Sequence, residues 1–271
     1  MRRYAIMTEY DGTVFSGWQR QQNAPSVQAA MENSWFDLTG ETIRLTGGSR
    51  TDAGVSALGH VSSFLSQTSI PVDRMALAWN TTLPESIAVK EVMIVEADFN
   101  PRYDGWGKSY RYTVVTGSIR PVLLRRQAVH VPGELDVFAM REAAKEMVGT
   151  HDFTAFMDQG SPTKRSVRTI HELSLEIKEN TISIRIIGDG FLYHMVRVIA
   201  GTLVYAGQKK IEPGAIGAII ASKKRVLAGP TMPPEGLLLE RVYFEQTLFG
   251  GDQWPYEDGR RELSIMDTSS Q

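Results

Sequence analysis

Gly47-Gly48-Ser49-Arg50-Thr51-Asp52-Ala53-Gly54-Val55 joins two short strand patterns, 42–46 before it, where apolar and polar residues alternate, and 60–65 after it. Alternation with period two marks strands, and the glycines mark the turn between them. The stretch therefore sets Arg50 and Asp52, two residues apart, on a tight loop at a strand end. Reactive groups concentrate on such loops because a rigid sheet holds them while the loop exposes them. Asp is also a common turn residue, so the loop alone leaves both readings open. Working outward, residues 4–9 alternate as a strand. Ser26 is a good helix N-cap, Val27, Met31, Trp35 and Leu38 follow at helical spacing, and Gly40 stops the helix. Asp73 caps a second predicted helix, stopped near Leu83-Pro84, and 87–95 is a strand. The order β-α-β-β-α-β is that of the ferredoxin-like fold.

The rest of the chain repeats the theme. Strands are predicted at 108–115 and 127–131. Asp136 caps a helix carrying Val137, Met140, Ala144 and Met147, ended by Gly149. Residues 170–177 and 182–187 form a hairpin about Glu179-Asn180. An apolar helix at 193–206, a weaker one at 212–222 and a closing strand at 237–244 follow, with 153–168 as an insertion. The expectation is an α+β chain of two ferredoxin-like halves with antiparallel sheets, residues 1–103 and 104–248, and an active-site cleft between them. The duplication rests on element order, since no repeat is visible in the residues. Residues 249–271, with Gly250-Gly251 and Asp267-Thr268-Ser269-Ser270, read as a disordered acidic tail.

The 271 residues are 42% apolar and 22% charged, as in ordinary soluble domains. There is no Cys, which excludes disulfides, a thiol nucleophile and a Cys-ligated zinc. No apolar run has membrane-spanning length and no signal-peptide core opens the chain, so the expected place is the cytoplasm, with no membrane contact. The net charge of −2 hides an uneven distribution. From Glu245 onward six acids face two bases, leaving 27 bases and 25 acids in the body. Clusters stand at Arg120/Arg125/Arg126, Lys164/Arg165/Arg168, Lys209/Lys210 and Lys223/Lys224/Arg225. Each reads alone as a solvated loop end; together they fit a phosphate-binding face.

Further stretches bear on chemistry. Asp11-Gly12-Thr13-Val14-Phe15-Ser16-Gly17-Trp18-Gln19-Arg20-Gln21 reads as a turn with an aromatic plug. In Lys108-Ser109-Tyr110-Arg111-Tyr112, the lysine and both tyrosines share one strand face, where an aromatic beside cations can stack a base or simply pack across strands. Phe191-Leu192-Tyr193-His194-Met195-Val196-Arg197 sets Arg197 on an apolar helix, where a charge is costly without a partner. His194 has no second His at ligand spacing, so it reads as a packed or RNA-facing residue, and no metal site is expected.

These stretches, with Ser26-Val27-Gln28, Asn80, Leu83-Pro84, His151-Asp152-Phe153-Thr154-Ala155-Phe156 and Glu235-Gly236-Leu237, resemble in order the motifs of the TruA family of tRNA pseudouridine synthases. The family often has His where this chain has Ser56, and Ala-Gly where it has Gly48-Ser49. The resemblance implies isomerisation of uridine to pseudouridine in the anticodon stem-loop of tRNA, by a homodimer and without a cofactor. It implies Asp52 as the catalytic nucleophile or base, Arg197 as its orienting partner, and Tyr110 stacked on the target base. Arg50 is assigned to substrate binding, filling the gap left by a flipped uridine. The alternatives are a non-catalytic ferredoxin-like RNA-binding protein, a paralogue with another RNA target, and an aspartic-type hydrolase, for which Asp11-Gly12-Thr13 and Asp52-Ala53-Gly54 make a poor pair of loops.

Overall fold

The computed structural model describes residues 1–160 and 165–256; Lys164 of the Lys164/Arg165/Arg168 cluster and residues 257–271 of the tail lie outside the described residues. The chain divides into two compact units, one formed by Met1–Lys108 with the chain from Leu239, the other by Ser109–Leu238.

The first unit contains β1 (Arg2–Tyr10), α1 (Val27–Thr39), β2 (Thr46–Gly47), β3 (Ser56–Ser66), α2 (Val72–Asn80) and β4 (Ile87–Val95). Helix α1 forms as its caps predict: the Ser26 hydroxyl accepts from the Ala29 amide, and Gly40 closes the last turn at φ 72. Its face of Val27, Met31 and Trp35 is fully buried, with Trp35 packed 4.6 Å from Trp79 of α2 and 5.2 Å from Phe64 of β3. Helix α2 begins one residue before Asp73, which sits in its first turn rather than at the cap. The strand expected at 42–46 shrinks to Thr46–Gly47. Ile43 and Leu45 are buried as alternation predicts, but the backbone of Leu45 bonds side chains of α1: its amide donates to Glu32 and its carbonyl accepts from Gln28. Antiparallel β1 lies between β3 and β4, and β2 pairs with β3.

The second unit begins within β5 (Gly105–Gly117) and continues through β6 (Val129–Pro132), α3 (Val137–Lys145), β7 (Gly149–Asp152), β8 (Val167–Lys178), β9 (Thr181–Gly188), α4 (Met195–Gly207) and α5 (Ile216–Ser222). Asp136 caps α3 through the Ala139 amide. The hairpin turns at Glu179, φ 53, and its strands stand in the order β5-β9-β8-β7, with β6 parallel to β5. Helix α4 starts later than the apolar run predicts because His194 takes a left-handed conformation, φ 59.

The closing strand β10 (Leu237–Phe244) divides between the units after Leu238 and lies beside β3 in the first unit's strand order. The boundaries expected at 103 and 248 therefore differ from the division observed: the chain returns to the first unit at its end. The tail reading is corrected for residues 249–256. Phe249, Asp252 and Trp254 are buried. The Phe244 amide donates to the Asp252 carbonyl, the Trp254 amide to the Phe244 carbonyl, and the Asp252 carboxylate accepts from the amides of Leu248 and Phe249. Two buried aromatic side chains and the bonds of Asp252 dock the segment. The fold is α+β with mostly antiparallel strands, and among the described residues no helix is long and apolar enough to cross a membrane.

Candidate active site

The Asp52 loop is fixed by the N-terminal motif. The Trp18 amide donates to the Thr51 carbonyl, the Gly54 amide to the Phe15 carbonyl, and the Tyr10 hydroxyl bonds the Thr51 hydroxyl at 2.7 Å. Gly12 lies so close that any side chain there would run into the Val55 carbonyl. The Asp11 carboxylate is engaged by the amide and hydroxyl of Thr13, as a turn residue should be. The sequence Asp11–Trp18 is thus a backing plate for residues 51–55. Gly54 takes the left-handed conformation (φ 81) that closes the turn.

Before the loop, the Gly47-Gly48 pair passes an aromatic stack. Trp18 lies on His60, centroids 3.6 Å apart, with Tyr10 at 5.9 Å from His60. A side chain at Gly47 would strike the Trp18 indole. His60 is fully buried and its Nε2 lies 2.9 Å from the Ser49 carbonyl oxygen. That oxygen only accepts, so Nε2 carries the hydrogen. Burial drives the His60 pKa down to about 3, with nearby Lys108 adding to the effect against the Ser49 bond. The ring is therefore a neutral peg under the backbone just before Arg50. From this support Asp52 emerges half-buried and Arg50 exposed. Arg50 lines a groove of about 1020 Å³ shared with Trp18, Arg20, Phe36, Arg44 and Arg102, of which Asp52 is not a lining residue.

In the second unit, Tyr110 on β5 is buried edge-on against Phe191, ring centroids 5.3 Å apart. Phe191 opens the stretch that runs into α4. Arg197, in the first turn of α4, is half-buried, and its Nε donates to the Met232 carbonyl at 2.6 Å. The apolar face thus supplies one acceptor locally, from a loop the sequence reading did not consider. Tyr112, two residues beyond Tyr110, donates its hydroxyl to the Pro233 carbonyl. Burial pushes the Tyr112 phenol far up, Glu235 adds to this and Arg197 opposes it, so the group stays protonated.

The structure brings Arg50 and Asp52 onto one loop of the first unit, and Tyr110 and Arg197 onto β5 and α4 of the second. It also dissolves one basic cluster: Lys223 pairs with Asp152 at 2.6 Å and Arg225 with Asp158 at 2.7 Å. Arg120, Arg125, Arg126 and Arg165 remain on the surface. The residues that sequence reasoning missed are His60, Asp158 and the 229–233 loop; a Gly-Pro and a Pro-Pro step bracket that loop, the one visible signal. Among the described residues no group of three or more Asp, Glu and His is arranged to hold a metal ion.

A half-buried carboxylate on a rigid loop can act as nucleophile, as base or as electrostatic stabiliser of a sugar cation. A family model described as tRNA pseudouridine synthase matches residues 6–104 and 143–245. Proteins named tRNA pseudouridine synthase A from Acetivibrio thermocellus and Clostridium kluyveri are 47% and 42% identical over 244 residues, 90% of this chain and all of theirs. The protein of that name from Ruminiclostridium cellulolyticum is 42% identical over 245 residues, again 90% of this chain and 100% of its own. The molecule is thus an isomerase acting on uridine in tRNA. The chain belongs to the tRNA pseudouridine synthase family, in its TruA branch, whose motifs span it.

Proposed function

We propose that the uridines converted lie in the anticodon stem-loop of tRNA and that Asp52 carries the reaction. The N1–C1′ bond of uridine breaks, the base rotates, and a C5–C1′ bond forms. C5 loses its hydrogen as a proton and N1 gains one, so nothing is oxidised and no atom is lost. Asp52 acts as nucleophile or base, Arg197 keeps it ionised and oriented, Tyr110 stacks on the base, and Arg50 enters the space of the flipped nucleotide. The observation that carries this reading is the rigidity built around Asp52, whose loop is pinned at Thr51, Gly54 and Val55 while Asp52 itself stays only half-buried. Preorganisation of that kind is what a developing sugar cation needs. The working form is a homodimer in the cytoplasm, alongside its tRNA. Exposed Ile119, Val122 and Leu123, beside Arg120 and Arg125, support a second copy as their cover.

The test is tritium release from tRNA labelled at uracil C5, with mapping of the modified positions. Asp52→Asn should bind tRNA normally and lose turnover. Asp11→Asn, which keeps the acceptor for Thr13, should be tolerated. If Asp52→Asn retains more than about a hundredth of the wild-type rate, a loss under ~3 kcal/mol in barrier, the assignment is wrong. Modification confined to another arm of tRNA would overturn the proposed target, and a monomer by light scattering the proposed assembly.

A further inference from the structure

Around Asp158 the second unit holds a cluster that the reaction scheme does not use. One carboxylate oxygen accepts from Arg225 Nε at 2.7 Å; the other from His194 Nδ1 at 2.8 Å and the Thr231 hydroxyl at 2.7 Å. Arg225 uses the rest of its fork on the same loop, Nη1 to the Gly229 carbonyl and Nη2 to the Thr231 hydroxyl, each at 2.8 Å. The Asp158 amide also reaches the Tyr193 carbonyl. Burial opposes the charge on Asp158, but the Thr231, His194 and Arg225 bonds prevail and hold its pKa at about 2. One carboxylate thus ties together the residues leading into α4 and the loop 225–233.

Both tied segments end at Arg197. His194 is the N-cap of α4, held left-handed without a side-chain cap bond, a conformation that persists where its surroundings over-determine it. The loop is pressed along α4. The Gly229 amide donates to the Thr202 hydroxyl, the Met232 amide to the Arg197 carbonyl, and a side chain at Gly201 would collide with the Pro230 carbonyl. The Met232 carbonyl then takes Arg197 Nε, and the next carbonyl, of Pro233, takes Tyr112. With Nε committed to Met232, the plane of the Arg197 guanidinium follows the position of the loop.

We infer that Asp158 is a positioning residue for catalysis: with Arg225, His194 and Thr231 it fixes the Met232 carbonyl, and through it the direction in which Arg197 presents its fork. This rests on the catalytic reading of Arg197 given above. Misplacing a reacting or orienting group by about 1 Å can cost about 10²-fold in rate, whereas a clip that only stabilises the fold leaves kcat alone.

The test is Asp158→Asn, which removes the charge and keeps the shape, with Thr231→Val as a milder second variant should the first fail to fold. Single-turnover pseudouridine formation at saturating tRNA should fall about 10²-fold for Asp158→Asn, while the tRNA Kd stays within about threefold, the split expected for an interaction that matters in the transition state. The ¹⁵N-resolved Arg197 Nε–H resonance, assigned by its loss in Arg197→Lys, should be protected from solvent exchange in the wild type and lose that protection in both variants. A wild-type rate in Asp158→Asn, a loss of affinity equal to the loss of rate, or an unchanged Nε–H resonance would each overturn the inference. The resonance does not depend on activity. If Arg197→Met turns over normally while the resonance shifts as expected, the catalytic reading of Arg197 has failed instead.

Discussion

Around Asp52 the fixing groups are uncharged: backbone amides of Trp18 and Gly54, the Tyr10 hydroxyl, and a neutral His60 stacked on Trp18. Around Arg197 the acceptor is the Met232 carbonyl, on a loop tied by the Asp158–Arg225 ion pair and the hydrogen bonds of Asp158 with His194 and Thr231. The two supports should fail differently. An aromatic clamp loosens when volume is removed and is blind to salt. An ion cluster gives way when one charge is deleted and its partner is left uncompensated. One chain thus holds its two proposed catalytic groups by unrelated physics.

The sharpest contrast comes from Arg197→Lys. Lysine lacks the planar fork and the Nε–H that bonds Met232, so pseudouridine formation should fall by about 10²-fold or more, with little change in melting temperature. Near-normal turnover would mean the ionic support serves nothing catalytic. Next in size is truncation after Leu248, which removes buried Phe249 and Trp254. Loss of a buried aromatic costs about 3–5 kcal/mol, so the urea midpoint should drop markedly, and Trp254→Ala should reproduce part of it. An unchanged midpoint would show that residues 249–256 add nothing to the first unit.

A pH series then separates the supports. Folded His60 has its pKa depressed to about 3, while unfolded it titrates near the ordinary histidine value of 6.5. The unfolded chain therefore binds the extra proton, and stability is full above pH 6.5 and is lost as pH falls toward 3, by about 1.4 kcal/mol per unit for this one group. Between pH 6.5 and 5 the wild type should lose more stability than His60→Gln, judged by the change in each protein's own unfolding free energy with pH. Equal slopes would mean that His60 is not held neutral. The smallest effect is expected for Lys223→Met. Its pair with Asp152 is close, but the lysine is 59% exposed, so the loss should stay within about 1 kcal/mol. A larger loss would make this pair part of the ionic support.

Much of this was legible in the residues, for local reasons. Ser26 and Gly40 bracket α1 because a side-chain acceptor and a left-handed glycine are local demands. Asp136 and the Glu179-Asn180 turn work the same way. The 42–46 strand misled because alternation reports burial, and here side chains of Gln28 and Glu32 take the backbone bonds that a neighbouring strand would have taken. The Lys223/Lys224/Arg225 run counted toward a phosphate-binding face because Asp152 and Asp158, partners of Lys223 and Arg225, are about seventy residues away in sequence. Asp52, Tyr110 and Arg197 stood out through motif resemblance; no spacing rule would have joined Asp158 to His194, Arg225 and Thr231.

Because β10 belongs to the first unit from Leu239 onward, that unit is the last to be finished on the ribosome although its residues are the first to be made. Domains generally fold in the order of synthesis. Here Ser109–Leu238 emerges as a contiguous stretch, while the edge of β3 that β10 will cover stays open until Phe244 and Trp254 have left the exit tunnel. A nascent chain halted before Leu239 would leave that edge of β3 unpaired, an open template for pairing with another chain.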